Sequence, residues 1–366
     1  MARYRPEPAH THGQTPRTGV LLVNLGSPEA PTAKALRPYL KQFLSDTRVV
    51  EIPKLIWWPI LNLIILNTRP AKSAEKYASI WMDEGSPLRV HTERQAKLLT
   101  GHLGEAGHKD WIVRWAMRYG EPSIGRTLDE MRSLGCDRIL VVPLYPQYAG
   151  STTGSVMDEV ARSLLSWRNL PEMRYIRSYH DQTGYIESLA ASVRRHWQRN
   201  GQGEHLILSF HGVPRQTLDK GDPYHCECHK TARLLSEALG DDGKRVKVTF
   251  QSRFGKAEWL QPYTQPTLEA MARDGVRSVD VMCPGFSSDC LETLEEIAME
   301  CKEAFLSNGG KQFNYIPCLN EDAAWIQHLT DLVLAHAGNW RTEDVRRGTS
   351  DRSVGAEHAR KLGAKH

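Results

Sequence analysis

The chain has 366 residues, more than one small core needs and enough for two domains of ordinary size. Charged residues make up 25% and hydrophobic residues 40%, the balance of a water-soluble globular protein, and a net charge of +4 is modest for this length. No segment strings Lys and Arg together with interleaved aromatics, which excludes a nucleic-acid partner of the usual basic kind. Seven scattered cysteines, an odd number, read as reduced thiols in the cytoplasm.

In chain order, residues 1–18 are polar, rich in Pro and His, and predict a flexible leader without the apolar core of a signal peptide. A strand over Val20–Leu25 follows. Ile52 to Leu66 is apolar but too short for a membrane span, and Pro53, Lys54, Pro59 and Asn62 interrupt it. It reads either as a buried helix or as an apolar lip, because Trp57 and Trp58 are of the type that covers flat apolar ligands or rests at a membrane interface. Amphipathic stretches at Glu93–Leu103, Ile124–Leu134, Tyr185–Gln198 and Thr231–Leu239 are interspersed with strands at Ile139–Leu144, Leu206–Phe210, Val246–Phe250, Val279–Met282 and Asn314–Ile316. Several of these strands are hydrophobic on both faces, as a parallel sheet covered by helices requires. The βαβα order predicts an α/β class with two Rossmann-like domains, each a parallel sheet flanked by helices, over 19–177 and 178–319. A helix Glu321–His336, within the segment 320–337, is expected to pack back on the first domain. Residues 338–366 are charged, lack apolar periodicity and predict a flexible tail.

In such folds ligands bind beyond the carboxyl ends of the strands, so the loops there are the place to look for chemistry. His211 ends a hydrophobic strand and is followed by Gly212 and Pro214, which stop the strand and turn the imidazole toward the cleft. A neutral imidazole ligates a metal or accepts a proton, although a lone histidine is as readily a hydrogen-bonded core residue. Asp289-Cys-Leu-Glu-Thr-Leu-Glu-Glu296 opens a helix in which Glu292 and Glu296, four apart, share a face. Asp289 and Glu292 also have the spacing of a capping box. A strand-end histidine facing two acids supplies a ligand, a base and a route for protons. Two further motifs are ambiguous. Gly150-Ser-Thr-Thr-Gly-Ser155 offers N–H groups and hydroxyls suited to an anion, or is a plain turn. His225-Cys-Glu-Cys-His229 has metal-ligating residue types, but Cys-x-Cys is not the usual Cys-x2-Cys geometry. No Gly-x-Ser-x-Gly elbow, Gly-x-Gly-x-x-Gly turn or Walker lysine is present.

Eight motif groups follow one another in register: Leu22-Val-Asn-Leu-Gly-Ser-Pro28, Gly85-Ser-Pro-Leu88, Met117-Arg-Tyr-Gly120, Tyr145-Pro-Gln-Tyr148 with Ser151-Thr-Thr-Gly154, Ser209-Phe-His-Gly-Val-Pro214, Gly221-Asp-Pro-Tyr224, Gln251-Ser-Arg253 with Trp259-Leu260, and Cys283-Pro-Gly-Phe-Ser-Ser-Asp-Cys-Leu-Glu-Thr-Leu294. Together they resemble the ferrochelatases, over roughly residues 19–335. The resemblance implies two Rossmann-like domains with a porphyrin cleft between them, and insertion of ferrous iron into protoporphyrin IX. It places the metal-site histidine on His211, the essential acid on Glu292 and the next acid on Glu296. It places porphyrin contacts on Leu25, Arg118, Tyr119, Tyr145, Trp259 and Phe286, and a lip over the pocket mouth, often membrane-facing, on Ile52–Leu66.

The chain departs from the family pattern at three points. Cys290 stands where many members carry a second histidine, so no imidazole is essential there. Members with a 2Fe–2S cluster carry cysteine at the position of Gly150 and in a C-terminal group, and this chain has none beyond Cys318, so no cofactor beyond substrate iron is expected. Leu25 stands where coproporphyrin-using members carry Tyr, which favours protoporphyrin. A chelatase for cobalt or another tetrapyrrole, and a non-catalytic porphyrin-binding protein, are the other readings. Turnover with several metals and tetrapyrroles separates the first, and a persistent Soret band without iron consumption marks the second.

Overall fold

A computed structural model describes residues 4–9, 12, 15–341 and 352–364. Two four-stranded sheets, parallel throughout, organise the chain. The first contains β1 (Arg17–Gly26), β2 (Ile112–Tyr119), β3 (Cys136–Pro143) and β4 (Glu172–Tyr175), ordered β2-β1-β3-β4. The second contains β5 (His205–His211), β6 (Val246–Gln251), β7 (Ser278–Met282) and β8 (Gln312–Ile316), ordered β6-β5-β7-β8. The two orders are the same when each half is numbered from its own first strand.

Strand periodicity explains how the layers close. Successive side chains on a strand point to opposite faces. Val20 and Leu22 therefore enter one cluster, while Leu21 and Val23 enter another with Ile139, Val141 and Leu128. The cluster holding Val20 and Leu22 also takes Leu140 and Val142 from β3, Leu206, Leu208 and Phe210 from β5, and Trp325 and Leu329. One hydrophobic core is thus common to both sheets. The second sheet's outer face packs Ile207, Val279 and Val281 on Leu268, Ile297 and Phe305.

β2 and β4 are absent from the sequence-based expectation, and both are edge strands. β2 carries Arg114 and Arg118, and β4 is a short run with no fully buried side chain. An edge position tolerates such polar residues readily. The helix Ala323–Ala337 packs against Pro87–Glu105, Thr183–Asn200, β3 and β4. Asp322 caps it by accepting from the N–H groups of Ala324 and Trp325.

Two segments expected to be loose carry contacts. Arg5 donates to both carboxylate oxygens of Asp129, and Glu7 accepts from the N–H of Arg168. Trp340 is fully buried beneath the Arg174 guanidinium, 4.1 Å from its ring centroid, and Arg352–Lys361 is helical. The rest of the expected tail, 342–351 and 365–366, and residues 1–3, 10–11 and 13–14 of the leader lie outside the described residues.

Candidate active site

The carboxyl ends of β1, β2, β5 and β6 bring the site residues together. His211 closes β5, and its Nδ1 lies 2.6 Å from the Gly212 carbonyl oxygen. A carbonyl only accepts, so Nδ1 carries the proton and the neutral ring keeps its lone pair on Nε2. The turn requires glycine at 212: its N–H donates to the Gln251 carbonyl, and an added Cβ would sit 2.7 Å from that oxygen. Trp259 and Phe286 flank the imidazole, each with its ring centroid 6.4 Å away.

The acids come from Glu292–Cys301, whose backbone is wound as a wide π-helix rather than an α-helix. Bonds from i to i+5 put slightly more than four residues in each turn, so Glu292, Glu296 and Glu300 lie nearly one above another. Glu296 accepts from the Ser252 N–H at 2.6 Å and from the Ser252 hydroxyl at 2.5 Å. Ser252 has a positive φ of 64°, which turns both donors toward one carboxylate. Gln251 ties the elements together by donating to the Glu292 carbonyl at 2.7 Å and accepting from the Ser209 hydroxyl at 2.7 Å.

Burial pushes the Glu296 carboxyl up, Glu292 adds to that push, and the Ser252 donors and His211 oppose it, with a net upward shift. Both His211 and Glu292 therefore act on the same carboxyl group. Glu295 turns aside to Lys76 at 2.9 Å, and Lys76 also holds Glu300 at 2.8 Å. Among the described residues no three His, Cys, Asp or Glu side chains converge as a metal cage.

The expected capping box is not formed. Asp289 is a buried hub that accepts from Thr293 and Tyr315 hydroxyls, the Cys318 N–H and the Asn320 amide, and its own N–H donates to the Asn320 side chain. Glu292 takes no part in that hub, and its carboxylate interacts instead with the Cys290 thiol.

Of the six residues marked for ligand contact, Trp259 and Phe286 stand beside His211, and Leu25 is half-buried between two apolar clusters. Tyr145 is buried, and its hydroxyl has no hydrogen-bond partner among the described residues. Arg118 and Tyr119 are engaged within the protein. Arg118 pairs with Asp46 at 2.6 Å and donates to Ser155, while the Tyr119 hydroxyl donates to Asp46 at 2.8 Å. As placed, they brace the wall. The Gly150–Gly154 loop binds the protein's own anions instead of a ligand: the Gly150 N–H donates to Asp222, and the Ser155 hydroxyl to Asp46. Sequence reading missed Asp46, Lys76 and Ser252; only Ser252 lay in a quoted motif.

The ferrochelatase family model matches residues 17–337. A ferrochelatase of Aromatoleum aromaticum is 67% identical over 340 residues, covering 93% of each chain. That of Azoarcus sp. is 66% identical over 342 residues, 93% of this chain and 94% of the relative, and that of Janthinobacterium sp. is 57% identical over 99% of both. The chain belongs to the ferrochelatase family. It is accordingly a metal-inserting lyase of haem biosynthesis. Among solved structures, SirB from Bacillus subtilis with Fe3+ superposes with a TM-score of 0.52 at 13% identity, over 89% of this chain and 98% of that one. At that identity the likeness is one of fold.

Lys54–Pro59 is α-helical and Ile60–Ile65 continues it as a wider turn, which places Leu61 and Ile65 inward. Leu55 (92% exposed), Ile56, Trp58, Leu63 and Ile64 face outward, so the segment is an exposed apolar surface and not a buried helix. No helix among the described residues is long and apolar enough to cross a membrane. Cys226 is exposed while Cys228 is buried in the core cluster, and the other five are buried and distributed over both halves.

Proposed function

We propose that the chain inserts ferrous iron into protoporphyrin IX with His211 as proton acceptor and Glu292 as the group facing it across the metal's path. The observation that carries the assignment is the Nδ1–H bond to the Gly212 carbonyl, which leaves Nε2 as the basic atom. The same bond persists after protonation and stabilises the imidazolium that forms. A free-base porphyrin must lose two pyrrole protons. His211 takes one, and the Glu292–Glu296 line takes the other and passes it outward, helped by the raised affinity of Glu296 for a proton.

Trp259 and Phe286 supply apolar walls for the ring, worth about 25 cal/mol per Å2 of apolar surface covered, and part of that energy offsets ring distortion. Leu25 presents no hydroxyl to the ring edge, which suits the apolar periphery of protoporphyrin better than the more carboxylated coproporphyrin. Iron is substrate here, and no resident cofactor is needed.

The exposed lip lies on an anionic membrane surface and opens the cleft toward it, giving a peripheral cytoplasmic protein. Its large apolar side chains at one edge support that reading. The reaction is tested by mixing the protein anaerobically with Fe2+ and protoporphyrin and following loss of the free-base spectrum. Persistence of that spectrum, with porphyrin bound, rejects the assignment.

A further inference from the structure

The His225-Cys-Glu-Cys-His229 segment is not used by the reaction above, and the structure divides its residues. They occupy the first turns of the helix Tyr224–Leu239. Cys228 points into the core and Glu227 inward to the Tyr148 N–H and Arg177. Cys226 is exposed. His225 and His229, four apart, remain on one face with ring centroids 4.5 Å apart and planes inclined at 51°.

Both rings rest on Phe250, at 5.8 Å and 6.2 Å between centroids, so a buried aromatic fixes their orientation. Among the described residues neither imidazole has a hydrogen-bond or ion-pair partner. His91 and His180, by contrast, face Glu321 and Glu227. His225 also lines a cavity of about 180 Å3 with Glu258, Trp259 and Gln261, and Trp259 is the ring that flanks His211.

We infer that His225 and His229 form a two-imidazole clamp for a late first-row divalent cation such as Ni2+, Cu2+ or Zn2+, separate from the His211 centre. Two imidazoles one helical turn apart are the pair that binds zinc in the His-x3-His metalloprotease motif. Among the described residues no third His, Cys, Asp or Glu converges with them, so water completes the coordination sphere. Imidazole donors and the general order of metal affinities favour nickel, copper and zinc over ferrous iron. The clamp thus selects ions other than the substrate.

Burial lowers the proton affinity of both rings, and the charges of His229 and Arg215 lower that of His225 further, which keeps lone pairs available near neutral pH. Arg215 and the positive end of the helix oppose a cation here. The Arg215 guanidinium is engaged by Asp219 at 3.2 Å, which reduces that opposition.

The test titrates the full, tag-free chain with NiCl2 by calorimetry. A binding event present in the wild type should be lost in H225A/H229A and in H229A alone, and retained in H211A. His229 is exposed, so H229A removes a ligand without disturbing the core. Identical isotherms for the wild type and H229A, or loss of the event in H211A instead, would overturn the clamp. Turnover is not read in this experiment, so its failure and a failure of the proposed function are separate outcomes.

Discussion

Glu296 holds its proton to higher pH than an ordinary glutamate, while Glu292, four residues away, accepts no hydrogen bond from Ser252. This difference ranks the two carboxylates. Glu292→Gln should reduce iron insertion more than Glu296→Gln, since the second variant keeps a group that bonds Ser252; the reverse order in steady-state kcat contradicts the relay. His211→Ala should abolish insertion while protoporphyrin still quenches tryptophan fluorescence, and retained turnover removes His211 from the chemistry. Asp46 is a structural counterpart. Burial raises its pKa, but Ser155, the Arg48 N–H, Tyr119 and Arg118 more than offset that and hold it below the ordinary value. A depressed carboxyl stabilises the fold above its unfolded pKa, and that contribution is lost as pH falls through the folded value. Asp46→Asn should therefore cost about 3 kcal/mol at pH 7, because one partner of a buried pair is removed. Chemical denaturation should show the gap to wild type narrowing below about pH 4.

At the scale of elements, six of the eight strands were legible, the edge strands β6 and β8 among them, from short apolar runs rich in β-branched and aromatic residues. β2 and β4 were not, since their polar residues are an edge-strand adaptation that periodicity cannot distinguish from loop. The strand-end position of His211 and the four-residue spacing of the two glutamates could be read directly. The π-helical winding of Glu292–Cys301 could not, because nothing in Glu-Thr-Leu-Glu-Glu-Ile separates an i+5 from an i+4 pattern. The two internal anions were also out of reach: Asp46 meets Arg118 and Asp222 meets Gly150 only after the chain has folded. The lip makes its own prediction. Replacing Leu55 and Trp58 with Asp should weaken sedimentation with anionic vesicles by roughly tenfold or more per site, from about 1.5–3 kcal/mol of lost burial each. Turnover on detergent-dispersed porphyrin should change little, and equal vesicle binding by both proteins excludes the lip as the docking element.

At the scale of the whole molecule, the two sheets share one hydrophobic cluster, and polar bridges run beside it from Gln147 to Thr231 and Pro284 and from Gln95 to Ser287 and Asn320. Two halves with a common interior should unfold in one cooperative transition. Urea curves followed by fluorescence and by circular dichroism should coincide, and separated midpoints would show independent domains. The same union limits traffic through the cleft. A clamshell that swung apart would expose Val20, Leu208, Phe210 and Trp325 to water, so under the function proposed above a flat macrocycle has to enter and leave while the two sheets stay joined.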